Sequence, residues 1–309
     1  MSSIDIFGSC KMNASHMKVI CAGSVLWDVI GRIEDVLGLG GDKGGRIVRR
    51  PGGVAYNIAQ KLAMLGTRPL ILSVLGNDTE GKELCETCNT NGLDMRFVYF
   101  SEALPTDQYM AIEDKNGLVA AIADAHSLER EGDAILATLL DPKNGLLDAP
   151  QNMLLILDGN FTEAQLSNMA HHEALKDITF LIAPASPGKV NRLRCFFNRS
   201  NTVLFCNLSE ASILSEAPMT DAGEAAQALI DRGFDRVIVT NGSEMACDAA
   251  RDFDIVRQTP TPVKIQGVTG AGDIFMACHV FQEMNGATRE NALSAAILAA
   301  GNYVSGQEE

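Results

Sequence analysis

Short, unbroken apolar runs recur along the chain, and most are followed by a segment whose apolar residues lie three and four positions apart. The first pattern predicts buried strands and the second amphipathic helices. "MKVICAGSVLWDVIG" opens with an apolar run that ends in Gly-Ser, which predicts a buried strand and then a loop. "VAYNIAQKLAMLG" carries Ile58, Leu62 and Leu65 at helical spacing and stops at Gly66, a suitable C-terminal cap. "PLILSVLG" predicts one buried strand, and "TEGKELCETCNTNG" a helix closing near Gly92. Further on, "NMLLILDG", "ITFLIAP", "TVLFCNLS" and "RVIVTNG" predict strands. "TEAQLSNMAHHEAL", "SEASILSEA" and "AGEAAQALIDRG" predict helices. "GVTGAGDIF" feeds a long helical pattern, and "TRENALSAAILAAGNYVSG" predicts another helix. Strands alternating with helices imply a mostly parallel sheet covered on both faces.

The alternation lapses from about Phe97 to Asp124. There "FVYF", "QYMAIED" and "GLVAAIAD" predict short strands, and "DKNG" (Asp114 to Gly117) predicts a hairpin turn. Strands without intervening helices suggest a small antiparallel sheet attached to the main body. "GLGGDKGGRIVRRPGG" is glycine-rich and basic, and suits loops with an exposed strand. Its run Arg46 to Arg50 either meets a phosphate or protects a sheet edge by charge. No internal repeat, low-complexity tract or clear interdomain linker is visible.

Composition narrows the function classes. At 309 residues, with 46% hydrophobic and 21% charged residues, the chain suits one large α/β domain or two smaller ones. The formal net charge of −14 argues against nucleic acid and against an anionic membrane surface, both of which attract clustered Lys and Arg. Eight scattered cysteines, no basic and apolar start, and no apolar run of membrane-spanning length lead us to expect a cytoplasmic protein with free thiols. Residues 1–17 are polar and mixed, and are expected to be an N-terminal extension before a domain over 18–309.

"GVTGAGDIF" is the stretch with the clearest chemistry. A glycine-rich turn entering a helix offers unpaired N–H groups and the positive end of a helix dipole, which together suit an anion. Asp273 falls in the first turn, where a carboxylate is also simply a good cap. An acid beside an anion cradle makes chemical sense if it takes the proton of a hydroxyl that attacks phosphorus. No Gly-Lys-Ser/Thr loop is present, and no third glycine completes a dinucleotide fingerprint. Cys85 and Cys88 form one Cys-x-x-Cys without a second pair, so they do not make a zinc site, although a thiol redox role stays open. His171 and His172 lack a spaced carboxylate partner. Trp27 and Tyr56 either flank a ligand or pack beneath the lid.

Six separated segments, in order, resemble motifs of the ribokinase-like, or phosphofructokinase-B type, sugar and nucleoside kinases. They are "GSVLWD" (Gly23 to Asp28), "GGVAYNIAQKLAMLG" with Gly53 and Asn57, "LGNDTEG" (Leu75 to Gly81), "NLSE" (Asn207 to Glu210), "TNG" (Thr240 to Gly242) and "GAGD" (Gly270 to Asp273). The resemblance implies a three-layer α/β/α core with a mostly parallel sheet, and a small β lid from about 28–50 and 95–125. It implies ATP and Mg²⁺ as cofactors, with a monovalent cation such as K⁺ a further candidate. Asp273 would be the catalytic base, and the amides of Gly270, Ala271 and Gly272 would hold the transferred phosphoryl group. Asp28, Gly53 and Asn57 would bind substrate. Asn207, Thr240 and Gly242 would contact the nucleotide, and Glu210 with Asn207 would organise the metal through water. Within the family, "PGGVAYNIAQKLAMLG", Val268, the hairpin ending at Asp124, and "LDGNFTE" with Asp158 and Asn160 are most similar to pseudouridine kinases. That adds Asp124 and Asn160 to the substrate-binding set and implies O5′ of pseudouridine as acceptor. Other sugars or nucleosides, and a non-catalytic nucleoside-binding regulator, stay open. The lid strands of the family often pair between subunits, so a homodimer is expected. Ala183, Gly267, Cys278 and His279 depart from the usual family residues.

Overall fold

The apolar runs of the centre of the chain become strands buried on both faces. The computed structural model describes residues 17–38 and 40–307. The extension expected over 1–17 therefore lies, Met17 apart, outside the described residues. In chain order, β1 (Lys18–Ala22) leads into β2 (Leu26–Arg32), and β3 (Arg46–Gly52) into α1 (Val54–Met64). β4 (Leu70–Leu72), β5 (Val74–Gly76), α2 (Thr79–Thr90) and β6 (Tyr99–Ser101) come next. The hairpin β7 (Gln108–Asp114) and β8 (Gly117–Asp124) precedes two short helices, α3 (Ser127–Glu131) and α4 (Asp133–Leu140). Then follow β9 (Met153–Asp158), α5 (Glu163–His171), β10 (Thr179–Ala183) and β11 (Thr202–Asn207). After α6 (Leu208–Ser215), α7 (Ala222–Asp231) and β12 (Arg236–Asn241), the chain closes with β13 (Glu244–Ala250), β14 (Val256–Gln258), α8 (Ala271–Met284) and α9 (Arg289–Val304).

The main sheet has the order β14-β13-β12-β11-β10-β9-β1-β4. It is parallel from β4 through β12; β13 pairs antiparallel with β12, and β14 antiparallel with β13. Strand pleat divides its side chains between two cores. Leu155 and Leu157 of β9 join one core, with α5, α6 and α7; Leu154 and Ile156 join the other, with α1, α8 and α9. This is the three-layer architecture implied by the motifs. The order reverses around β1, which has β4 on one side and β9 on the other, and such a switch opens a crevice at the carboxyl ends of the strands. Among the described residues, no helix is long and apolar enough to cross a membrane.

The lid is a separate four-stranded sheet of order β3-β2-β7-β8. Its make-up differs from the expectation in two ways. β2 and β7 pair in parallel, so the lid is mixed rather than antiparallel. "FVYF" does not join it: β6 pairs in parallel with β5 instead. "PLILSVLG" is correspondingly two strands, since β4 stays in the main sheet while β5 leaves it at the buried Ser73. A run of uniform apolarity carries no mark of the point where it changes sheet. The helices α3 and α4 and the strands β13 and β14 were not anticipated. The helix expected over "TEAQLSNMAHHEAL" ends at His171, four residues short of Leu175, because the His172 side chain accepts from Ala174 N–H and caps a separate short 3₁₀ turn. The basic run Arg46 to Arg50 is the exposed edge strand β3.

Candidate functional site

The crevice at the carboxyl ends of the strands gathers most of the chemically interesting side chains. α8 begins at Gly270, whose φ of 88° lies in the left-handed region that favours glycine. A Cβ there would also lie 2.9 Å from the Tyr303 hydroxyl. That hydroxyl donates to Thr269 O at 2.9 Å and braces the turn from α9. No side chain caps α8. The N–H of Ala271 is already donated to Val268 O at 3.1 Å. Unlike that of Ala271, the N–H groups of Gly270, Gly272 and Asp273 have no acceptor among the described residues, and beside Gly272 the space is open. This narrows the expected cradle of Gly270, Ala271 and Gly272, because Ala271 has spent its donor.

Asp273, half-buried in the first turn of α8, accepts from Asn57 Nδ2 at 2.8 Å. Burial above all raises its carboxyl, the Asn57 hydrogen bond pulls it back, and the charges of Asp158 and Glu210 add to the rise, which brings it to about 7. A carboxyl held near neutrality suits proton acceptance from a hydroxyl better than one fixed in the ordinary acid range.

A cavity of about 120 Å³ opens beside it, lined by Asp273, Gly272, Asn207, Glu210, Thr240 and Ala183 among others. Asn207 and Glu210 form a capping box at the start of α6. Asn207 N–H donates to Glu210 Oε2 at 2.9 Å, and Glu210 N–H donates to Asn207 Oδ1 at 3.0 Å. Burial pushes the Glu210 carboxyl up, and the Asn207 N–H holds it back. The sequence thus brings Asp273, Gly272, Asn207, Glu210 and Thr240 round one space. Gly242, at φ 57° in the β12–β13 turn, does not line that cavity.

The expected substrate residues are more dispersed. Asn57 reaches the site directly. Gly53 begins α1 with φ 99°, and a Cβ on it would meet Ser24 O at 2.4 Å. Asn160 Nδ2 donates to Ser24 Oγ at 3.0 Å, and its Oδ1 accepts from Lys189 Nζ at 2.8 Å. Asp28 is half-buried on β2, opposite Arg50 of β3; burial pushes its carboxyl up and Arg50 partly offsets this. Asp124 is not brought to the site. It is in register with Gln108 and Trp27, one step out of phase with Tyr109 and Asp28, so the pleat puts it on the other lid face. Its side chain is 66% exposed and lies 4.0 Å from His126 Nε2.

Trp27 and Tyr56 turn out to be packing residues. Trp27 is buried, donates Nε1–H to Glu80 O at 3.0 Å and carries the Arg49 guanidinium over its ring. The Tyr56 hydroxyl donates to Gln60 Oε1 and accepts from Asn91 Nδ2. Cys88 is fully buried, and burial pushes its thiol up to about 12, which removes the thiolate that a redox pair with Cys85 needs. Sequence reasoning passed over Ser24 as a site residue, although it stands inside the "GSVLWD" motif. Tyr303 and Lys189 carried no local signal.

Residues 17–307 match the pfkB family of carbohydrate kinases. Pseudouridine kinase of Escherichia coli (strain K12) is 27% identical over 263 residues, which cover 84% of this chain and 81% of that protein. Ribokinase of Mus musculus is 26% identical over 237 residues, covering 74% of this chain and 70% of the relative. The fold matches Arabidopsis thaliana ribokinase complexed with ribose and ATP, with a TM-score of 0.74 at 20% identity over 95% of this chain and 93% of that one. The family implies ATP and a divalent metal, and the residues present fit both. The open amides at the start of α8 suit phosphoryl oxygens. Glu210, buried at the cavity wall, keeps one carboxylate oxygen outside its capping bond, as a hard cation or its water requires. Taken with this geometry, the matches show that the chain belongs to the pfkB carbohydrate kinase family and is a phosphotransferase that acts on a hydroxyl group.

Proposed function

We propose that this kinase transfers the γ-phosphoryl group of ATP to O5′ of pseudouridine, giving pseudouridine 5′-phosphate. The observation that carries the reaction type is the Asn57–Asp273 contact beside the uncapped start of α8. The substrate reading rests on the similarity to the E. coli pseudouridine kinase across 84% of the chain.

In this reading the O5′ hydroxyl lies against Asp273. As O5′ bonds to the γ-phosphorus, its proton passes to Asp273 and the bond from phosphorus to the ADP oxygen breaks. Amides of Gly272 and Asp273 stabilise the phosphoryl oxygens in transit. Asn57 holds Asp273 Oδ2 and so leaves its other oxygen for the acceptor. Asp28 and Asn57 orient the ribose, with Gly53 keeping the start of α1 close to it, and Asn160 lies at the same rim. Asn207 and Glu210 would hold Mg²⁺, and Thr240 and Gly242 would contact the nucleotide. Bound Mg²⁺ neutralises charge on the phosphates. Closure of the lid excludes water that would otherwise compete as acceptor. Asp124 has no part in this scheme. The partner is a second copy of the chain, paired through the lid.

The mouse ribokinase match favours ribose as the second reading. An ATP-dependent assay across pseudouridine, ribose, fructose, a keto-sugar acid, adenosine and guanosine separates the two. Pseudouridine should give the highest kcat/KM; clear turnover of ribose with none of pseudouridine would sink the substrate assignment.

A further inference from the structure

α1 carries Asn57, yet it has no cap of its own. Its N-cap position is Gly53, which has no side chain to offer. The missing acceptor comes from thirty residues upstream: Val54 N–H donates to Ser24 Oγ at 2.9 Å, and Tyr56 N–H donates to Ser24 O at 3.3 Å. Ser24 is buried just beyond the carboxyl end of β1.

Ser24 is itself held from β9. Asp158, 1% exposed, accepts on Oδ2 from Ser24 N–H at 2.7 Å and from the Ser24 hydroxyl at 2.8 Å. Its Oδ1 accepts from Asn160 N–H at 2.9 Å. Asn160 Nδ2 supplies the second hydrogen bond to Ser24 Oγ. The hydroxyl thus donates once and accepts twice, its full capacity. A saturated, buried group of this kind has one orientation open to it.

We propose that Ser24, fixed by Asp158, is a positioning residue for phosphoryl transfer: it caps α1 from outside the helix and so sets Asn57 against Asp273. The path is continuous and each link is a hydrogen bond or one helical turn: Asp158, Ser24, the start of α1, Asn57, Asp273. It joins the ends of β9 and β1 to the starts of α1 and α8. The charge of Asp158 also pushes the Asp273 carboxyl up, so the anchor bears on the base electrostatically as well. Without the cap, the first turn of α1 frays and Asn57 loses its aim. Asp273 then keeps its carboxylate but not its orientation, and the loss falls on the chemical step rather than on ATP binding.

The proposal rests on Asp273 acting as the base, and a double-mutant cycle tests it. Ser24→Ala, Asn57→Ala and the double variant are assayed with ATP and pseudouridine, or with ribose if the wild type does not turn over pseudouridine. Ser24→Ala should lower kcat by roughly 10- to 100-fold, the scale of a small misplacement of a reacting group. The KM for ATP should stay within about twofold, because the change acts on chemistry rather than on uniform binding. On the Asn57→Ala background the same substitution should cost less than about twofold, because coupled sites are non-additive. An equal cost on both backgrounds, or a normal kcat in a folded Ser24→Ala protein, overturns the proposal. Should Ser24→Ala fail to fold, Ser24→Cys keeps the volume with a weaker acceptor and enters the same cycle. Failure of the base assignment is seen separately, as near-normal turnover by Asp273→Asn.

Discussion

At the scale of single residues, the proposed chemistry turns on one carboxyl group whose surroundings disagree about its charge. Burial and the charges of Asp158 and Glu210 favour the protonated form of Asp273, whereas Asn57 Nδ2 favours the carboxylate. A base must be deprotonated to work, so kcat should rise as pH climbs through about 7. Removing the Asn57 donor in Asn57→Ala takes away the pull toward the carboxylate, so the rising limb should move to higher pH in kcat–pH profiles. Asp273→Asn keeps the shape of the side chain but cannot take a proton. It should retain ATP binding by calorimetry and lose roughly 10²- to 10⁴-fold in kcat, the usual scale of positioned acid–base catalysis. The sign for stability is opposite to that for activity. A carboxyl raised in the folded state stabilises it below the ordinary carboxylate range, and that contribution is lost as pH rises through about 7. The identity of these residues was legible in the sequence because glycine turn, acid and helix start are adjacent there. Their contact was not, since Asn57 and Asp273 stand 216 positions apart. Asp124 shows the converse failure: the strand was read correctly, but which face its last residue takes depends on register with β7 and β2, which no local pattern specifies.

At the scale of elements, the same helix that carries Asp273 is tied down at its far end by a buried charge network. Arg236 at the start of β12 bonds Asp248 of β13 and Glu283 of α8, with Nε–Oδ1 and Nη1–Oε2 distances of 2.9 and 3.0 Å. Arg289 of α9 adds a 3.0 Å bond to Asp248 Oδ1. Asp248, His279 and Glu283 bring potential metal ligands within 4.8 Å of one another, but the guanidinium of Arg236 reaches both carboxylates and supplies the positive charge itself. His279, fully buried with its ring edge-on to Phe205, fills the remaining space. Burial pushes the Asp248 carboxyl up, yet Arg236 and His279 hold it well below the ordinary range. Its contribution to stability is therefore present at neutral pH and lost as pH falls through the carboxylate range. Asp248→Ala leaves two guanidiniums facing one carboxylate in the interior and should cost about 3–5 kcal/mol in denaturant unfolding. The core strands were readable as elements because a parallel strand covered on both faces is apolar throughout. That uniformity hid the passage from β4 to β5, and the alanine-rich β13, with Asp248 in its middle, lacked the β-branched and aromatic residues that mark a strand.

At the scale of the whole molecule, the lid has two unlike faces. Asp28, Arg50 and Tyr109 share one by register. The other exposes Ile47, Met110, Ile112 and Ile122, of which Ile47 and Ile122 are 74% and 69% exposed. A contiguous apolar face on a chain with a net charge of −14 is a surface that needs cover. A second copy offers it, because the same face meets itself across a twofold axis. Strands β3 and β8 form the sheet edges, and the arginines of β3 discourage pairing along that edge, which favours contact face to face. Ile122→Lys puts two charges into such an interface and removes little from a free monomer, since the side chain there already meets solvent. Wild type should sediment at twice the 33.1 kDa of one chain, and Ile122→Lys as a single chain with its unfolding midpoint in denaturant nearly unchanged. Wild type sedimenting as one chain would leave the apolar face to another occupant. A variant that stays dimeric would move the contact off the lid.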